Sequence, residues 1–393
     1  MNADKQTNKT LYSIPVWFLA GRMILLLSLP IEGLKSYGDF WNFFNLAAAG
    51  WPYLQIWVEF PPIFPFLSRI IYLAVGGKEH AYVYILAMFF SIVQAVNIYL
   101  FIRIAEKSLI ANERIQRTVV YSMLLVGLFY GWAYFDSLGV FFLLLSIYLS
   151  LRGSRLSPGF AMGLGGLVKW FPVFVFPASV KWRGAKNSIR IGLILIATIV
   201  IAWGLLYAIS PEFVTASLVS QTAKGSWETA WAIIDGNFGT GNFNVNSNRF
   251  DALTATLPAG NPSRISPLLT LPVFLLIGLF VFLKAKIATG KEFIAFSGFT
   301  MVLFLLWAPG YSPQWMLYLL PLVLLRFDQY RGILVGLVLV LINLLEWPII
   351  LSRGLFNYLS WTILLRTFFF VVLAVLFVEI IFREGQKSQG EVF

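Results

Sequence analysis

Pro61-Pro62-Ile63-Phe64-Pro65-Phe66-Leu67-Ser68-Arg69-Ile70-Ile71-Tyr72-Leu73-Ala74-Val75-Gly76 is the stretch on which the fold turns. It is apolar enough to be counted as a membrane crossing. If it crosses, strict alternation puts Arg103, Lys107, Arg114 and Arg117 outside and Asp136 in the cytoplasm. If it is a re-entrant or interfacial helix, one side collects Lys5 and Lys9, the 103–117 loop, Arg152 with Arg155, and the 181–190 and 284–291 loops. Arg326 with Arg331 and Arg383 with Lys387 join them, making 19 of the 29 Lys and Arg residues. Lysine and arginine favour the cytoplasmic side, and Pro61, Pro62 and Pro65 weaken a regular crossing helix. The second arrangement is therefore expected, with both termini cytoplasmic.

Around this stretch the chain reads as membrane. Hydrophobic residues make up 59% of its 393 residues and charged ones 12%; mean hydropathy is +0.79. A soluble protein of this size cannot hide so much apolar surface, so lipid is its solvent. The apolar runs are continuous rather than alternating, which selects helices over a closed barrel. Spans are expected near 12–31, 79–103, 118–133, 136–151, 157–169, 170–181, 189–209, 265–283, 291–308, 314–326, 331–350 and 355–382. The fold class is thus an all-α polytopic membrane protein of about twelve spans forming one integral-membrane domain, 1–393. The net charge of +11 falls between spans and does not indicate nucleic acid. There is no cysteine and a single histidine, His80, so thiol chemistry and a His-built metal centre are excluded. The polar residues 1–10 run straight into a long span, which is expected to stay as an anchor rather than be cleaved.

Two sizeable outer loops follow from this topology, 32–78 and 210–264. In the first, Phe40, Phe43, Phe44, Ala47 and Ala48 recur at helical spacing while Trp41, Asn42 and Asn45 face the other way. That pattern suits a short amphipathic helix along the membrane surface. The second is rich in Gly, Asn and Trp, and long loops in compact proteins usually bind or gate something.

The same topology gathers Asp39, Glu59, His80, Asp136, Lys169, Glu228, Asp235, Gln314 and Arg353 at the outer face. Each has a plainer alternative. Asp39, in Tyr37-Gly38-Asp39-Phe40-Trp41, is either a helix N-cap or a general base for a hydroxyl. Glu59, before Pro61-Pro62, is a solvated turn acid or a ligand group. Asp136 caps a helix or serves a site, since acids at membrane depth are costly. Lys169 snorkels outward or meets a phosphate as a point charge. Trp227, beside Glu228, suits an interfacial aromatic belt; Asp235-Gly236 suits a turn, as does Pro309-Gly310-Tyr311-Ser312-Pro313-Gln314. Arg22 and Arg366 fall inside spans and have no assigned partner. Asp39 and Asp136 together can hold a divalent cation, although no spacing demands one, and no cofactor is expected.

Taken in order, these motifs resemble the integral-membrane glycosyltransferases of the GT-C superfold, in the mannosyltransferase-like branch that uses polyprenyl-phosphate sugars. The resemblance rests on Asp39 with the aromatic helix ending Ala49-Gly50-Trp51-Pro52-Tyr53, on Glu59-Phe60-Pro61-Pro62, on Phe135-Asp136 and on Lys169-Trp170-Phe171-Pro172. Ser312-Pro313-Gln314-Trp315 adds a late outer element, so the matches run over residues 37–315. The resemblance implies a sugar donor on polyprenyl or dolichyl phosphate, an acceptor hydroxyl on a glycolipid, lipid-linked glycan or other molecule, and transfer with inversion. Asp39 would be the base, and Glu59, Asp136, Lys169, Trp227, Glu228, Asp235 and Gln314 would bind substrate. It also implies a plasma or endoplasmic-reticulum membrane with the site on the outer or lumenal face. The alternatives are a secondary transporter or lipid flippase, which would show repeats and mid-membrane breaks, and a non-catalytic subunit with the same fold.

Overall fold

A computed structural model describes residues 2–36 and 38–390. Helices hold 77% of the chain, and no β-strand forms among the described residues. In chain order the helices are α1 (Asn2–Ser28), α2 (Ile31–Lys35), α3 (Phe40–Ala49), α4 (Ile63–Ala74), α5 (Glu79–Ser108), α6 (Ala111–Gly127), α7 (Tyr130–Ala133), α8 (Asp136–Arg152) and α9 (Ser157–Gly166). They continue with α10 (Phe176–Arg183), α11 (Ala185–Ile209), α12 (Pro211–Val219), α13 (Ala230–Asp235), α14 (Pro267–Lys284), α15 (Gly290–Trp307), α16 (Met316–Arg326), α17 (Gln329–Leu344) and α18 (Leu359–Gly390). Among the described residues seven segments are long and apolar enough to cross a membrane: α1, α5, α11, α14, α15, α17 with the π-turn that extends it, and α18. The chain is therefore an all-helical protein built for a membrane. Residues 1, 37 and 391–393 lie outside the described residues, and the expected cytoplasmic placement of the termini falls partly on them.

Five of the twelve expected spans fall on shorter helices. α6 and α8 have 17 residues, α16 has 11, α9 has 10 and α10 has 8, against the roughly 20 that a crossing needs. The reasons differ. α6 begins earlier than expected, at Ala111, and stops at Gly127; Tyr130–Ala133 is a separate turn. Its early start is possible because Arg117 is neutralised in place, 2.9 Å from Glu113 and 2.7 Å from the Leu324 carbonyl. α9 and α10 are halves of a hairpin broken at Lys169-Trp170 and joined through a 3-10 turn, Phe171–Val175. α16 is buried at every residue, so it is walled by helices and needs neither the length nor the surface of a lipid-facing span.

The deciding stretch forms α4, 12 residues long. At 1.5 Å per residue it reaches about 18 Å, well short of a hydrocarbon core of roughly 30 Å. It packs against α3 and the start of α5. Arg69 donates to the Ala47 carbonyl at 2.5 Å, and the Ser68 and Tyr82 hydroxyls lie 2.5 Å apart. Phe43 meets Phe64 edge-on at 4.7 Å, and Phe64 stacks on Phe135 at 4.3 Å. Gly76 and Gly77 then take positive φ, 62° and 71°, and turn the chain back into α5. α3 is the expected amphipathic helix, with Phe40, Phe43 and Ala47 buried and Trp41 exposed. Phe44 packs edge-on against Tyr72 of α4 and Tyr82 of α5, whereas Ala48, expected on the buried face, is exposed. The 210–264 segment is folded, with α12, α13 and a 3-10 turn at Ala252–Thr256.

Candidate active site

Helix ends and loops enclose a cavity of about 850 Å³. Its wall takes residues from the α2–α3 link, the Glu59–Pro61 link before α4, the α7 turn, the α9 hairpin break, the 221–249 loop and the 312–315 segment. Six of the expected site residues line it: Asp39, Glu59, Lys169, Trp227, Glu228 and Gln314. Asp136 stands behind Lys169. Asp235 is elsewhere, holding its loop by accepting from Ser226 Oγ at 2.6 Å and from the Arg264 amide at 2.7 Å. His80 and Arg353 do not line the cavity.

Asp39 occupies the N-cap position of α3, yet its side chain makes no capping bond. Only its main-chain carbonyl engages the helix, accepting from Phe43 N at 2.8 Å. The carboxylate is thus left to the cavity. Burial, reinforced by the neighbouring Glu59 charge and opposed by Lys169, pushes its pKa up to about 6. Gly38 places it there. Its φ is +123°, and a Cβ at that position would sit 2.7 Å from Ala133 Cβ, so only glycine lets the chain pass this close to the α7–α8 junction.

Glu59 is no solvated turn acid. Its carboxylate lies 2.7 Å from the Arg249 guanidinium and is only 7% exposed. Arg249 in turn lies over Trp57 at 4.1 Å and Phe243 at 4.8 Å. Trp57 Nε1 donates to the Asn248 carbonyl at 2.8 Å. The two long loops are therefore locked together directly over the cavity.

Lys169 does not snorkel to the surface. Its Nζ is 2.7 Å from Asp136 Oδ1, and the aspartate is buried. Asp136 is the first residue of α8, one past the cap position at Phe135, and its Oδ2 has no hydrogen-bond partner among the described residues. The lysine charge is thus largely balanced by Asp136. Among the described residues no cluster of three His, Cys, Asp or Glu side chains is arranged to hold a metal.

Trp227 is a staple rather than a belt residue. Its amide and carbonyl pair with Pro309 and Tyr311. Its ring fits between Gly241 and Gly310, where added Cβ atoms would come within 2.5 and 2.2 Å. Arg366, inside a span, bonds the Glu346 carboxylate and the Glu228 main-chain carbonyl. Arg22 donates to the Leu125 carbonyl at 2.8 Å. Both intramembrane arginines thus hold helix ends.

Two cations escaped the sequence reading, Lys224 and Arg249, and both line the cavity. Lys224 Nζ lies over the Phe243 ring at 4.0 Å and has no carboxylate within ion-pair distance among the described residues. Burial and the nearby Arg249 lower its pKa, while Glu59 and Asp39 act in the opposite direction. The available signal was the rarity of charge in this chain: Lys224, Arg249 and Arg264 are the basic residues of a Gly- and Asn-rich loop. Tyr134, Gln221 and Asn242 complete the polar wall, and Trp170, Phe171, Phe174, Phe304 and Trp315 form an aromatic one.

Comparison with known protein families, with curated proteins and with solved structures finds no match.

Proposed function

We propose that this protein is a membrane glycosyltransferase. It moves a sugar, with mannose the first choice, from a polyprenyl or dolichyl phosphate to an acceptor hydroxyl on the outer or lumenal face. The observation that carries the reading is Asp39: a carboxylate that makes no capping bond, with its pKa pushed to about 6, facing a cavity that also holds Lys224, a cation with no carboxylate partner among the described residues. A base needs a pKa near working pH and access to the proton it takes.

In this reaction Asp39 removes the hydroxyl proton as the acceptor oxygen bonds to the anomeric carbon. The bond from that carbon to the phosphate oxygen breaks with inversion, and the phosphate leaves with the electron pair. A phosphate is already a good leaving group, so a second acid is not required, unlike the paired carboxyls of glycoside hydrolysis. The protein positions the partners and offsets charge on the leaving group. Lys224 is assigned the second task in place of Lys169, whose charge Asp136 already balances. The aromatic wall of Phe171, Phe174 and Phe304 suits the apolar chain of the donor. The outward orientation rests on the distribution of Lys and Arg, and α4 then lies within the outer layer as an interfacial or re-entrant helix.

The test is sugar transfer by the purified protein in lipid. It uses a radiolabelled polyprenyl-phosphate mannose donor, a panel of glycolipid acceptors, and Asp39→Asn beside the native chain. Product from the native chain and none from the folded variant is expected. Near-normal transfer by Asp39→Asn removes Asp39 from the base role, and no product with any donor sugar moves the reading to a transporter.

A further inference from the structure

Glu228 is a cavity-lining carboxyl that the reaction above does not use. It is 2% exposed, and its backbone is held at φ +52°, a region that non-glycine residues seldom adopt. The nearby cation, Arg366, does not bond the Glu228 carboxyl. Its guanidinium bonds the Glu346 carboxylate and the main-chain carbonyl of Glu228, and lies 3.7 Å over the Tyr311 ring. Among the described residues the Glu228 carboxyl has no ion pair, and its Oε2 has no hydrogen-bond partner. A buried carboxyl in that state favours its neutral form, a hydrogen-bond donor. Burial accordingly pushes its pKa up, against the opposing charge of Arg366.

The same wall carries Tyr130, Tyr134 and Trp347. Tyr130 spends its hydroxyl on the Trp347 carbonyl at 2.6 Å. The Tyr134 hydroxyl and the Trp347 indole N–H make no hydrogen bond among the described residues. Their rings stand nearly perpendicular, at 86° and 6.3 Å between centroids. Tyr134 lies within electrostatic reach of both Asp39 and Glu228, so this wall adjoins the proposed base. Aromatic faces with three unused polar groups fit an uncharged ring bearing hydroxyls. The cation at this wall, Arg366, is already engaged by Glu346 and by the Glu228 main-chain carbonyl, so the wall offers an anion no charge to pair with.

We propose that Glu228, Tyr134 and Trp347 form a subsite for an uncharged sugar ring of the acceptor, which presents its hydroxyl to Asp39. This rests on the glycosyltransferase reading for the word acceptor, but not for the ring-binding chemistry, and the test separates the two.

The protein in lipid nanodiscs would be titrated with a short alkyl mannoside, a short alkyl glucoside and inorganic phosphate. Binding would be followed by calorimetry, and the carboxylic C=O stretch by difference infrared spectroscopy. Native protein is expected to show a protonated-carboxyl band that is missing in Glu228→Gln and that shifts with a glycoside but not with phosphate. Glu228→Gln keeps a neutral donor and the main-chain bond to Arg366, so it should bind glycoside within about threefold of native; Glu228→Ala should lose about tenfold, the worth of one hydrogen bond. With a donor present, Glu228→Ala should raise the acceptor KM and leave the donor KM in place. A carboxyl band indifferent to glycosides, a response to phosphate instead, or native-like glycoside affinity in a folded Glu228→Ala overturns the subsite. The infrared and binding readouts need no turnover, so they decide even if every donor fails.

Discussion

Lys169→Met should destabilise the protein far more than Asp136→Asn, and the double variant should recover most of the loss. The two groups meet at 2.7 Å, the aspartate side chain 1% exposed and the lysine 15%. At an effective dielectric constant of about 20, unit charges at this spacing attract by about 6 kcal/mol, and the cost of desolvating them cancels much of it. Removing the lysine leaves a buried carboxylate with no cation, which costs about 3–5 kcal/mol. Removing the aspartate charge leaves an ammonium that already touches the cavity, so its loss should stay below about 2 kcal/mol. The double variant has no charge to strand, and a coupling of at least about 2 kcal/mol is expected in the cycle. Unfolding in mixed micelles, followed by tryptophan fluorescence, measures all four proteins. Native stability in Lys169→Met, or a double variant no better than that single one, refutes the pairing. It would also return Lys169 to the phosphate role that the sequence suggested.

Transfer should fall as pH drops through about 6, where Asp39 gains its proton. Glu59→Gln should move that midpoint downward by removing the neighbouring negative charge, and a profile of kcat/KM against pH reads both. Because the folded carboxyl holds its proton more tightly than the unfolded one, Asp39 adds stability at low pH and loses that contribution as pH rises towards 6. Gly38→Ala forces a Cβ to within 2.7 Å of Ala133 and displaces Asp39; a shift of about 1 Å costs about 100-fold in kcat, while the fold, checked by gel filtration, is retained. Lys224→Met should lower kcat at least tenfold without loss of thermal stability; unchanged transfer would release Lys224 from the charge-offset role. A cysteine at Lys78, in a chain with no native cysteine, should be labelled by an impermeant thiol reagent from outside. Labelling only from the cytoplasmic side inverts the topology.

The sequence by itself determined that the chain is helical and built for a membrane, because apolar runs of that length have no other stable backbone. It also marked Asp39, Glu59, Lys169, Trp227, Glu228 and Gln314, since polar groups are rare here and each stands beside a breaker or an aromatic cluster. It did not decide how those groups pair. Lys169 reads as a cation free for a ligand until Asp136, 33 residues away, is seen to balance it. Glu59 reads as a turn acid until Arg249, from the other long loop, closes on it. Asp235 keeps company with Glu228 in sequence, yet turns away from the cavity to hold its own loop. Local sequence fixes backbone preference and burial tendency, which act over a few residues. Charge compensation is settled by whichever segments the helix packing brings within a few ångströms, and that is a property of the tertiary structure alone.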